Sequence, residues 1–100
     1  MPQFEFDPAK SEVNKKKHGI DFMTAQEIWH TGPSYELPVR SSTEQRFQVL
    51  GHASGKLWSA IITYRGAIIR IISVRRARTR ERRKYEEITQ RKSEADGARN

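Results

Sequence analysis

The chain has no cysteine in its 100 residues. That excludes a disulfide framework and a thiolate metal site. It also lacks long apolar runs: none approaches the ~20 residues that cross a bilayer. Acids are scarce, 12 against 19 lysines and arginines, which leaves a net charge of +7. Only 35% of residues are hydrophobic and the mean hydropathy is −0.84, so part of the chain should be solvated helix or tail. The first seven residues already carry Glu5 and Asp7. No signal-peptide pattern opens such a sequence, and a cytoplasmic protein is expected. The length fits one domain with one modest core. The basic balance favours a nucleic acid, an acidic protein or an anionic membrane surface as partner.

What the chain does have is Ala67–Arg83, an apolar strand-like run that passes into an arginine cluster. From Arg65 to Arg83 there are eight arginines and one acid, Glu81. A strand that delivers arginines to one place builds a rigid anion site, and nucleic-acid phosphate is the expected anion. The competing reading of Arg75–Arg83 is a solvated helix start. Arg70 is different, because it interrupts the apolar run. Its charge must open onto a site or be paired, for instance with Glu44.

Gln3–Phe6 alternates polar and apolar, as a short strand does. Asp7-Pro8 starts a helix that Gly19 should end, with Ala9 and Val13 as its narrow inward face. Asp21 caps a second helix, with Phe22, Ala25, Ile28 and Trp29 on its buried side and Gly32-Pro33 at its end. Ser34–Glu44 reads as a loop, since Pro38 argues against a central strand. Three strands follow: 45–52, 57–64 and 67–74, joined at Ser54-Gly55-Lys56 and Arg65-Gly66. A last helix runs from about Thr79 to Lys92. Residues 1–92 form the domain and 93–100 a disordered tail. The order is β-α-α-β-β-β-α, an α+β fold with helices on one face of a small antiparallel sheet.

Metal and cofactor chemistry find little support. The three histidines, His18, His30 and His52, have no metal-ligand spacing, and no glycine-rich phosphate loop or nucleophile elbow is present. RNA cleavage without a metal needs less. The RNA supplies its own 2′-hydroxyl nucleophile, and the protein must move two protons and stabilise charge on phosphorus. Arginines suit the last task. For proton transfer the candidates are His18, Glu44, His52, Tyr64 and a lysine such as Lys17. The plainer readings are a helix-terminal cation for His18, an exposed strand end for His52 and core roles for Phe4, Phe6, Trp29 and Trp58.

Several segments taken together resemble the BrnT family of type II toxins: Phe4–Lys10, Asn14, Lys17–Ile20, Phe22, Ala25, Glu44-x-Arg46-Phe47, Ile69–Ser73 with Arg75-Arg76-Ala77, Glu81-Arg82 and Tyr85-Glu86. Phe6 stands where that family usually has tryptophan. His30–Gly32 and Arg40–Thr43 stand where it usually carries acids. The resemblance implies a RelE-like fold and an RNA-cleaving growth inhibitor. It also implies a partner, a BrnA-like ribbon-helix-helix antitoxin whose complex with the toxin binds operator DNA. With it, Arg70, Arg75 and Arg76 would bind the scissile phosphate and His18 and Glu44 would transfer protons. Lys17, Arg46, Arg80 and Tyr85 would contact RNA, and no cofactor is expected. The alternatives from other classes are a non-catalytic nucleic-acid-binding module and a corepressor.

Overall fold

A computed structural model describes residues 2–98. Five strands form one mixed sheet in the order β1-β5-β4-β3-β2. They are β1 (Gln3–Glu5), β2 (Tyr35–Val39), β3 (Arg46–Ala53), β4 (Lys56–Arg65) and β5 (Ile68–Arg76). The helices are α1 (Pro8–His18), α2 (Phe22–Ala25), which tightens into a 3₁₀ turn over Gln26–Trp29, and α3 (Thr79–Ala98).

Local chemistry sets the first half of the chain. The Asp7 carboxylate accepts from the Ala9 and Lys10 amides and starts α1. Gly19, at φ +82°, takes the left-handed conformation that stops it. Asp21 then accepts from Thr24 N–H and starts α2. The inward face of α1, however, is polar. Ala9 and Val13 are exposed, and the buried positions are Ser11 and Asn14. Ser11 Oγ accepts from Phe22 N–H. Asn14 Nδ2 donates to Ile20 O and Val74 O, and its Oδ1 accepts from Val74 N–H. β1 covers β5 only at residues 68–70. The Asn14 amide serves the backbone of β5 further along, where no strand does. A polar face therefore docks this helix, which an apolar-periodicity argument cannot see.

Three further expectations are corrected. Tyr35–Val39, read as loop, is an edge strand antiparallel to β3, so the order is β-α-α-β-β-β-β-α. Pro38 is tolerated because an edge strand has only one hydrogen-bonding side. The sheet is mixed, since β1 pairs with β5 in parallel. The last helix continues through residues 93–98, where a tail was expected; the end of that predicted tail lies outside the described residues. The helix starts at Thr79, as expected. Arg78 occupies the cap position, and Glu81 reaches back to accept from its N–H at 2.8 Å, half of a capping box.

The core lies on both sides of the sheet. On one side Ile20, Phe22, Ala25 and Ile28 pack on Val49, Ala60, Ile62, Ile71 and Val74. Each Val, Ile or Phe side chain among them contributes about 1.5–3 kcal/mol when removed from water. On the other side α3 covers only one end, where Tyr85 and Ile88 meet Tyr35, Leu50, Leu57 and Ala77. Placing all the helices on one face is thus also corrected. The rest of this second face is open. The β3–β4 hairpin turns at Ser54 (φ +50°) and Gly55 (φ +72°). Two successive positive φ angles make the turn whose twist matches a hairpin.

Candidate functional site

Strand register decides where the arginines go. Arg70 lies opposite Thr63, Arg75 opposite Ser59 and Arg76 opposite Trp58. Thr63 and Ser59 are four apart on β4 and face the same way. Arg70 and Arg75, five apart, therefore share the open face. They can do so because Ile72 is an extra residue: Ile62 pairs with Ile71, and Ile61 with Ser73. Arg76 takes the opposite direction and lies over the Trp58 ring at 5.6 Å.

Arg75 is tied to one carboxylate by both its terminal nitrogens. Its Nη1 and Nη2 donate to Glu81 Oε1 and Oε2, both at 2.8 Å. Gln48 Nε2 donates to the same carboxylate and to Ser59 Oγ. The Arg75 guanidinium, helped by the Arg78 amide and Gln48, holds the Glu81 carboxyl down to about 2 although burial opposes this. The same pairing raises Arg75. Glu81 thus stays ionised at neutral pH and fixes Arg75 and the start of α3. It was missing from the predicted site, and the available signal was its place three residues after Arg78.

The end of the sheet brings charges and histidines together. A cleft of about 240 Å³ beneath α3 is lined by His52, Lys56, Arg76, Arg82 and Tyr85 among others. A second hollow at the end of α1, about 210 Å³, is lined by Lys15, His18, Lys56, Trp58 and Arg76 among others. Lys56 and Arg76 belong to both. His52 therefore stands on one side of a pair of cations and His18 on the other. His52 is half-buried, not an exposed strand end, and packs edge-on against Tyr85 at 5.1 Å. A phosphate held at Lys56 and Arg76 would have a proton-transfer group on either side.

The other predicted residues lie elsewhere. Arg70 approaches Glu5 at 3.5 Å, not Glu44. Glu44 is exposed and pairs with Arg46 at 3.4 Å. Thr63 and Trp58 are five residues apart on β4, so Arg70 sits about 17 Å from Arg76 along the strand. Lys17 and Arg80 are exposed on α1 and α3. Tyr85, expected to contact RNA, is buried, and its hydroxyl donates to Pro33 O. It anchors α3. Tyr64 donates to Glu36, and burial with this bond pushes its hydroxyl up to about 12. Trp58 Nε1 donates to Ala53 O from within the core. Among the described residues no three His, Asp or Glu side chains cluster as metal ligands would. None of their helices is long and apolar enough to cross a membrane.

No curated protein matches the chain. A protein-family comparison does: the sequence model described as the ribonuclease toxin BrnT of type II toxin-antitoxin systems matches residues 6–81. That span holds both caps of α1, the Asn14 contact, the whole of β2–β5 and Glu81. A type II toxin acts beside an antitoxin partner, and a ribonuclease acts on RNA. The chain belongs to the BrnT family of ribonuclease toxins.

Proposed function

We propose that this toxin is an endoribonuclease that cleaves RNA without a metal ion, at the end of the sheet where Lys56 and Arg76 stand between His52 and His18. The observation that supports it is the shared lining of the two hollows. In this reading the RNA 2′-hydroxyl attacks the adjacent phosphorus, one histidine takes its proton, and the other protonates the leaving 5′ oxygen. Lys56 and Arg76 neutralise the charge that builds on the phosphoryl oxygens. The P–O5′ bond breaks, leaving a 2′,3′-cyclic phosphate and a 5′-hydroxyl. Arg75 and Glu81 position the strand end that carries Arg76. Glu44 and Arg70, at the far end of the strands, lie outside the reacting centre.

The reading extends to the fold and the partner. A sheet with two N-terminal helices on one face and a terminal helix on the other suits a RelE-like toxin. The family supports a BrnA-like ribbon-helix-helix antitoxin that neutralises the toxin and carries the complex to operator DNA. Unopposed cleavage of cellular RNA would stop translation and growth in the cytoplasm.

Incubation of purified protein with RNA in EDTA tests the chemistry. Fragments ending in 2′,3′-cyclic phosphate are expected. A salt-dependent gel shift with no fragments would instead favour a non-catalytic binding module or a corepressor.

A further inference from the structure

α1 is turned the opposite way from an ordinary amphipathic helix. Its buried positions, Ser11 and Asn14, are polar, while Val13 is 62% exposed. Lys10, Val13 and Lys17 are spaced three and four apart, so they make one stripe down a flank of the helix. The stripe borders a groove. β1 stops pairing with β5 at Arg70, and α1 takes over that edge through Asn14. A helix is about 10 Å wide and cannot lie against the edge as closely as a strand does. A hollow of about 320 Å³ remains, lined by Ala9, Lys10, Val13, Lys17, Ile72 and Ser73 among others. Ser73 is exposed and faces the open side of the sheet.

The lining states the chemistry of an occupant. Ala9, Val13 and Ile72 give apolar surface, and Lys10 and Lys17 stand beside it. No acid is among the lining residues. The one acid of α1, Glu12, falls on the opposite flank of the helix. Among the described residues neither lysine forms an ion pair. Unpaired cations beside exposed apolar surface are complementary to an acidic amphipathic segment of a protein. RNA fits less well. Its phosphates would serve the lysines but would lay a charged backbone on Val13 and Ile72. No aromatic ring lines the groove for a base to stack on.

We propose that the groove between α1 and β5 holds an acidic amphipathic helix of the antitoxin partner. One apolar side chain sits on Val13 and Ile72, and a carboxylate meets each lysine. Lys10 and Lys17 lie two helical turns, about 10 Å, apart along α1. A partner helix answers that spacing with two acids seven residues apart and an apolar residue between them, three or four along. His18 lines both this groove and the hollow at the end of α1. The occupant therefore lies against one of the two histidines assigned to proton transfer, although its docking does not depend on that assignment.

The chain has no cysteine, so one introduced thiol reports one position. Ser73→Cys places it in the groove and Glu12→Cys on the far flank of α1. In the toxin–antitoxin complex the groove thiol should react with a maleimide at least about tenfold more slowly than in the free toxin. The Glu12→Cys thiol should keep its free rate. A synthetic helical peptide with glutamates seven apart and a leucine between them should also protect the groove thiol. The same peptide with lysines for its glutamates should not, and Lys10→Glu/Lys17→Glu should reverse that choice. Val13→Asp should weaken the acidic peptide at least about tenfold, with circular dichroism showing that the variant is folded. Three results would overturn the docking site: a groove thiol that stays reactive in the complex, an acidic peptide that binds no better than the basic one, or protection by a six-nucleotide 2′-O-methyl RNA in preference to the peptide.

Discussion

Arg75 and Glu81 meet in a two-point ion pair, with both N–O distances at 2.8 Å. The pair joins the end of β5 to the first turn of α3. It connects the strand that carries Arg76 to the helix that roofs the His52 cleft.

Glu81→Gln should weaken the fold by about 2 kcal/mol, since a charge-assisted pair and a helix cap are both diminished. The pH dependence follows from the sign of the shift. The folded carboxyl lies at about 2, below its ordinary 4.5. Its contribution is fully present above the ordinary value and is lost as pH falls from there toward 2. Urea melts at stepped pH should show wild type losing stability over that window. The variant should lose less.

Asn14→Ala removes three hydrogen bonds and leaves the Val74 N–H and C=O buried without partners. The expected cost is about 2–4 kcal/mol. That lowers the thermal midpoint by at least about 8 °C in a domain of this size, measurable by circular dichroism.

Gly51→Ala should destabilise although the backbone there is ordinary strand. A Cβ at this position would lie 2.7 Å from Ile28 Cγ2 and 3.1 Å from both Ile28 O and Ser34 Cβ. The 3₁₀ turn must move away from β3, at a cost of about 1–3 kcal/mol. Denaturant unfolding should show a lower midpoint with an unchanged slope.

His52→Ala should reduce RNA cleavage at least about 100-fold, the usual contribution of a positioned proton-transfer group. The half-buried ring makes one edge contact with Tyr85, so the thermal midpoint should move by only a few degrees. Gel-based cleavage assays read the first effect and melting curves the second. Retained cleavage by the folded variant would remove His52 from the mechanism.

The sequence reading was strongest where one residue type has one physical use. Asp7, Gly19 and Asp21 marked the boundaries of α1 and α2, and Ser54-Gly55 marked the hairpin, because caps and left-handed turns depend on few neighbours. It was weakest where the deciding partner is distant in the chain. Nothing around Ser11 and Asn14 shows that they meet Phe22 and Val74. Tyr35–Val39 becomes a strand only because β3 offers an edge, which overrides the local objection of Pro38. The site suffered for the same reason. Arg70, Arg75 and Arg76 look like one cluster in sequence, yet one faces Glu5, one is held by Glu81 and one lies over Trp58. His52 acquired its company from α3 and the end of β5, neither of which is near it in the chain.

Ile72 separates the length of β5 from its facing. Because it is a surplus residue in an otherwise matched ladder, its removal would leave Ile71 and Ser73 beside the partners they already have. The strand would straighten, yet each arginine would keep its side of the sheet. A one-residue deletion ordinarily turns the rest of a strand inside out. Here it would be absorbed at a single point, so a strand inside the sheet can change its length there without turning its later residues over.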